Sequence, residues 1–342
     1  MSKLKKIVFL LVIMIITLMT VTVGAAKIPD SWSNFKSAKE MNITRFNQSP
    51  VLDEKVKSGE LPPVEDRLPV PEDTMVIEPL EEIGEYGGTV TSAAIGPASW
   101  ADGSCYLPFM MYVNEDLSKY VPDILKGYEL TNKNKTLILY LRKGLKWSDG
   151  YPFTTEDIMF WWEDTAIHPE VNHWTQWGWK TDGVNPKFTA LDDYILKIEF
   201  PEPRPLIVKQ VLSWWKSEQN FFFSPKHYLK QFHVDYNPEV KKIAEEKGYG
   251  TWVQYFEDKR EIGPGQQNAD LPVLGPWMLK ERNSTEKVFV RNPYYYVVDT
   301  EGNQLPYVDH WVIKFKSDAE VAKVDALQGN IDFASRILTA SE

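Results

Sequence analysis

The stretch Leu141–Glu163, LRKGLKWSDGYPFTTEDIMFWWE, decides how the rest of the chain is read. Leading into it, Leu137, Leu139 and Leu141 alternate with other residues in KTLILYLR, the two-residue period of a half-buried strand. Ser148-Asp149-Gly150 carries turn chemistry, with Gly150 free to take a positive φ and Asp149 able to bond its own backbone. Pro152 keeps Tyr151 extended. Thr154 then opens a helix, and Asp157 three residues later gives a capping-box pattern. Ile158, Trp161, Trp162 and Thr165 follow at helical spacing, so one helix face carries indole bulk.

On physical grounds alone this is a strand, a turn and a helix packed on a core. Two carboxylates near aromatic rings, Asp149 and Glu156, invite comparison with a glycosidase pair. The turn accounts for Asp149, and Glu156 and Asp157 suit the positive end of a helix. Neither needs a catalytic role.

The order of residues adds a resemblance. The stretch resembles the signature of the family 5 extracellular solute-binding proteins, the oligopeptide-, dipeptide- and nickel-binding receptors of ABC importers. Their pattern runs approximately L-R-x-G-[VL]-K-[WF]-[SH]-D-G-x-P-[FL]-T-A-[ED]-D-[VI]. This chain departs from it at Thr155, where alanine is usual. SPKHYL, residues 224–229, is similar to a P-K-H-[IY]-L element of the same family. Pro272 to Phe315 resembles its run of G-P-[YW], a two-stranded hairpin, R-N-P-x-Y-[WY] and L-P-Y-[VL]-D, and GNIDFA its G-[ED]-I-D. The likeness covers nearly all of Gly87 to Ala334, with the motifs in order.

That resemblance implies a mixed α/β fold of the periplasmic-binding-protein type II kind, with two lobes around a cleft. It also implies an exported substrate-binding component that delivers a peptide or similar solute to ABC permease subunits in the membrane. No catalytic residue, metal or cofactor is expected, and a monomer is. Family members usually continue for a couple of hundred residues beyond the position of Glu342, so the second lobe is expected to be missing from this chain. Four segments are expected: a signal peptide, 1–26; a Pro-rich extension, 27–86; a first-lobe strand with a family-specific subdomain, 87–270; and a continuation of the first lobe, 271–342.

The ends of the chain support export. Lys3, Lys5 and Lys6 precede an apolar run from Ile7 to Val23, and Gly24-Ala25-Ala26 supplies small residues for cleavage. The other reading is an uncleaved anchor, though a full span usually needs about 20 apolar residues. No cysteine stands at the end of the run, so no lipid anchor is expected, and the expected destination is a periplasm or the medium. Removing 26 residues takes three lysines and no acid with it, moving the net charge from −10 to −13. So acidic a chain is a poor partner for nucleic acid. The single Cys105 has no internal disulfide partner and reads as a small buried hydrophobe.

Residues 27–86 carry Pro50, Pro62, Pro63, Pro69, Pro71 and Pro79 among scattered acids, which rules out long helices. SWSNFKSAKEMN and SPVLDEKVKSG each read as a short helix, the second opened by Ser49 and Pro50. The segment is either an arm docked through Trp32, Phe35, Phe46 and Leu52 or a disordered linker.

Candidate binding residues are aromatic. Ser99, Trp100 and Tyr106 follow the strand Thr89–Ala94, a common place for binding groups, with Trp214 and Trp215 as further choices. The competing reading is that these rings are packing. Trp174, Trp177 and Trp179 form either a stacking platform or a loop pinned to the body. His168 and His173 stand five apart without a companion acid, which is no metal spacing, and His227 reads as a locally bonded helix-start residue. The alternative class is a secreted carbohydrate-active enzyme or an oligosaccharide-binding protein. The enzyme would need a converging carboxylate pair, and the chain carries no nucleophile elbow, metal motif or Gly-rich phosphate loop.

Overall fold

The computed structural model describes residues 36–97, 108–113, 120–171, 178–212, 219–263 and 265–334. In chain order its strands are β1 (Lys36–Ser37), β2 (Met75–Ile77), β3 (Thr89–Ile95), β4 (Met111–Val113) and β5 (Tyr120–Pro122). Then come β6 (Leu125–Thr131), β7 (Thr136–Leu141), β8 (Lys187–Asp192) and β9 (Ile195–Glu199). The last are β10 (Trp277–Arg282), β11 (Glu286–Arg291), β12 (Val297–Asp299) and β13 (His310–Lys316).

The alternation in KTLILYLR becomes the middle of an antiparallel sheet, order β6-β7-β9-β8. Its inner face carries Leu137, Leu139 and Leu141 from β7 and Leu196 and Ile198 from β9, all fully buried. The hairpin between β6 and β7 turns through Asn132, Lys133 and Asn134, each at positive φ, and Lys135 N–H closes it on the Asn132 carbonyl at 3.2 Å. Asparagine tolerates that conformation better than most side chains, which is why it brackets the turn.

Gly150 also sits at positive φ, and a Cβ there would lie 2.7 Å from the Tyr294 hydroxyl, so the turn admits only glycine. The helix Thr155–Phe160 opens with both halves of the expected capping box: the Thr154 hydroxyl accepts from Glu156 N–H, and the Asp157 carboxylate accepts from Thr154 N–H at 3.1 Å. Beyond Phe160 the helix widens into a π-helical turn, Trp161–Ala166, closed by Ile167 N–H on the Trp162 carbonyl at 3.0 Å. The wider turn lets adjacent Trp161 and Trp162 both face the core, along with Ile158 and Thr165.

A second sheet, order β10-β11-β13-β3, pairs β13 with β3 in parallel from His310↔Thr89 to Lys316↔Ile95. Asp318 caps the helix Ala319–Leu327 through Val321 N–H at 2.9 Å. Two helices, Val240–Glu246 and Trp252–Arg260, pack beside this sheet. Their apolar sides join Leu279, Phe289 and Ile313 of this sheet in one cluster.

The described part of the Pro-rich extension is docked. Strand β2 lies parallel to β12, Leu52 is buried, and Phe46 packs on a small cluster with Val64, Leu68 and Val298. The fully buried Arg67 donates to the carbonyls of Pro62 and Pro293 and to the side chains of Gln48 and Gln304. Ser49 and Pro50 open a 3₁₀ turn that runs on into the helix Asp53–Lys57, as the residues imply. The expected helix in SWSNFKSAKEMN is not formed over its described part: Lys36–Ser37 pairs with β2 instead. Ser37 and Glu40 do form a capping box, the Glu40 carboxylate taking the Ser37 N–H and the Ser37 hydroxyl taking the Glu40 N–H at 3.3 Å, but Asn42 at positive φ, with Ile43 N–H on the Ala38 carbonyl at 2.8 Å, ends it after a single turn.

Leu139→Ala removes a fully buried side chain from the middle of β7 and is expected to lower unfolding free energy by about 2–5 kcal/mol in urea titrations. An unchanged midpoint would show that β7 does not sit on the core.

Candidate functional site

Ser99, Trp100, Tyr106, Trp214 and Trp215 lie in 98–107 and 213–218, outside the described residues. What the structure gives is the anchoring on either side of them. Strand β3 ends at Ile95; Gly96 N–H donates to the Lys316 carbonyl at 2.9 Å, and the Pro97 carbonyl accepts from Arg282 at 2.8 Å. On the far side Met110 and Met111 are fully buried, and Phe109 N–H donates to the Asp123 carboxylate at 3.0 Å.

Asp123 is the centre of a buried polar network. Besides Phe109 N–H its carboxylate accepts from the Tyr296 and Tyr112 hydroxyls. Its carbonyl accepts from Arg142 Nε at 2.5 Å, and Arg142 Nη1 donates to the Asp73 carbonyl at 2.9 Å. The Asp73 carboxylate takes Lys143 N–H at 2.7 Å and the Lys126 ammonium at 3.1 Å. Burial pushes the Asp123 carboxyl up to about 6 against the pull of these donors. The flanks of 213–218 are equally fixed. Val211 and Leu212 are buried, Gln219 Nε2 donates to the Pro272 carbonyl at 2.9 Å, and the Asn220 carbonyl accepts from Trp161 Nε1 at 3.0 Å. Met110, Met111, Val211 and Leu212 belong to one apolar cluster with Trp161, so both candidate segments leave the same core.

Trp174, Trp177 and His173 also lie outside the described residues, but Trp179 does not. It is buried and stacked on Phe222 at 5.2 Å and 21°, so it is core and not platform. His227 departs from the expected local bonding: its Nε2 meets Asp149 Oδ2, 78 residues away, at 2.7 Å. Asp149 keeps its turn role as well, accepting Tyr151 N–H at 3.1 Å.

The structure gathers His168, His233 and Asp235, with donor atoms within 4.8 Å of one another. The protonation pattern does not fit a metal ion. His168 Nδ1 accepts from the N–H groups of Glu170 and Val171, so its proton sits on Nε2, the atom facing Asp235 at 3.4 Å. His233 Nε2 donates to the Asp164 carbonyl at 2.9 Å, and its Nδ1 accepts from Asp235 N–H. Burial, then neighbouring His168, holds the His233 imidazole below its ordinary value of 6.5.

Residues 119–342 match the model of the bacterial extracellular solute-binding proteins, family 5, middle region. The chain belongs to that family. It is 28% identical over 328 residues to the periplasmic alpha-galactoside-binding protein of Rhizobium meliloti strain 1021, covering 90% of this chain and 43% of that protein. An oligopeptide-binding protein OppA superposes with TM-score 0.77 and 35% identity, over 86% of this chain and 46% of its own. The periplasmic binding protein MelB of Agrobacterium fabrum C58, in complex with stachyose, gives TM-score 0.68 and 26% identity, over 88% and 44%. This family 5 chain thus has the mixed α/β fold of type II periplasmic binding proteins and spans under half the length of these relatives. Its relatives are solute-binding proteins and not enzymes. Among the described residues no helix is long and apolar enough to cross a membrane.

Two outcomes follow. The unfolded chain takes up the His233 proton at a higher pH than the native one, so the stability this group confers is complete above about 6.5 and falls as pH drops below it. His233→Gln is expected to flatten the melting-temperature profile between pH 7 and pH 5, and a slope identical to wild type would exclude His233 as its source. Asp123→Ala strands Phe109 N–H and the Tyr296 hydroxyl, at a cost of about 1–3 kcal/mol for each unpaired group, measurable by urea unfolding.

Proposed function

We propose that this protein is the exported substrate-binding component of an ABC importer, capturing a small solute by closure of two lobes and handing it to permease subunits. The observation that carries this reading is the family match across 119–342. The basic, then apolar, then small-residue leader of 1–26 supports export to a periplasm or the medium. The domain division at 26, 86 and 270 belongs to the same proposal.

Closure needs a ligand that favours the closed state through contacts to both walls. The first wall would present Ser99, Trp100 and Tyr106, held between Arg282 and the Asp123 network, with Trp214 and Trp215 leaving the same core. An α-galactoside-type oligosaccharide is the ligand favoured by two of the relatives, one named for alpha-galactosides and one bound to stachyose. Aromatic side chains suit the apolar faces of sugar rings. An oligopeptide is the second reading, favoured by the likeness to OppA.

Thermal-shift and calorimetric titrations with stachyose, raffinose and a mixed oligopeptide pool separate the two. A rise in melting temperature with one class and not the other assigns the ligand. Recovery of the sugar intact argues for a receptor, whereas its cleavage would replace this reading with the enzyme one. Trp100→Ala is expected to weaken binding at least about tenfold by loss of a stacking face; equal affinity would remove Trp100 from the site.

A further inference from the structure

The signature stretch builds a second feature, on the surface around the turn and the start of its helix. Tyr151 is half exposed, at 52%, yet its ring is held still. His227 stacks beneath it at 4.1 Å and 10°. Asp149 holds His227 through Nε2 at 2.7 Å and, through its other oxygen, accepts the N–H of Tyr151 itself at 3.1 Å. Three residues thus close a ring of contacts whose effect is to fix one aromatic face outward. A tyrosine serving only as packing has no need of an outer face kept in register by a hydrogen-bonded imidazole. His227 Nδ1 is buried with no partner among the described residues, so the imidazole keeps its place through the stack and the Asp149 bond.

The fixed ring borders an open cavity of about 920 Å³, within the usual size range of small-ligand sites. Tyr194 is a second ring on its wall, with Met159 and Ala190 as apolar surface. The polar groups come in both signs. Glu156 and Lys226 pair at 2.6 Å, while the Asp193 carboxylate and the Lys230 ammonium have no partner among the described residues. Carboxylates accept and ammonium groups donate, so the rim offers both halves of the hydrogen bonding a hydroxyl needs. A free anion would meet Glu156, Asp192 and Asp193; a free cation would meet Lys226 and Lys230. A neutral ring with hydroxyls at its edge and C–H bonds on its face meets neither penalty.

We propose that Tyr151, locked on His227 and Asp149, is the stacking platform of a surface site for a neutral pyranose sugar. None of its lining residues is among the positions offered for the inter-lobe cleft, and the proposal does not depend on which ligand that cleft takes.

Titration of ring-¹³C-tyrosine protein with methyl α-D-galactopyranoside and methyl β-D-glucopyranoside tests it, with the Tyr151 signals assigned from Tyr151→Phe. Saturable movement of the Tyr151 ring signals by either sugar is expected, with Tyr194 moving in parallel. Tyr151→Ala is expected to weaken this binding about tenfold, and Trp100→Ala to leave it unchanged. Tyr151 signals that stay in place through the titration overturn the proposal, even if Tyr151→Ala fails to fold. A saturable response lost in Trp100→Ala and kept in Tyr151→Ala also overturns it, while supporting the receptor reading. Tyr151 movement with no ligand found for the cleft upholds this site and leaves the receptor reading to fail alone.

Discussion

The Asp157 carboxylate is the constraint around which the signature region is arranged. It is buried, and it accepts from Thr154 N–H at 3.1 Å, Trp147 Nε1 at 3.2 Å and Lys226 N–H at 3.0 Å. Those donors belong to a helix start, the strand-side turn and a segment some seventy residues later, so one acid joins three parts of the chain. A carboxylate in such a place is tolerable only while its lone pairs are met. Burial still outweighs the donors and pushes it up to about 7. The Asp157 carbonyl also accepts Ser224 N–H, which brings SPKHYL against the helix and sets His227 under Tyr151.

The local chemistry of the fold was legible in the residues. The period-2 leucines of β7 and the Thr154–Asp157 box each depend on neighbours within a few positions, and each is realised. What could not be read depends on partners far along the chain. The π-turn at Trp161 arises because two adjacent indoles both find room in the core, a fact no helical period contains. His227 looked local because its partner, Asp149, already had a sufficient explanation in its turn. The helix expected near Lys36 stops after one turn because Asn42 takes a positive φ and because Lys36–Ser37 finds a strand partner some forty residues on.

The candidate binding residues were legible as chemistry but not as geometry. Aromatic residues after β3 suggest a candidate ligand contact, and the family match adds that the chain's relatives are solute-binding proteins. The structure adds that the residues on either side of the candidate segment, Pro97 and Phe109, are held by hydrogen bonds. Arg282 grips one end, and the Asp123 network grips the other through a backbone N–H and two tyrosine hydroxyls.

The sheet formed by β1, β2 and β12 joins the earliest described residues to a strand at Val297–Asp299. Arg67 reinforces the same junction by donating to the Pro293 carbonyl and Gln304. The arm therefore has no finished partner until some three hundred residues of chain are present, and its closure is among the most non-local steps in the fold. A polypeptide made from its N-terminus keeps this arm open throughout most of its synthesis. Late closure of this kind leaves the front of the chain without its strand partner until Val297–Asp299 has been made.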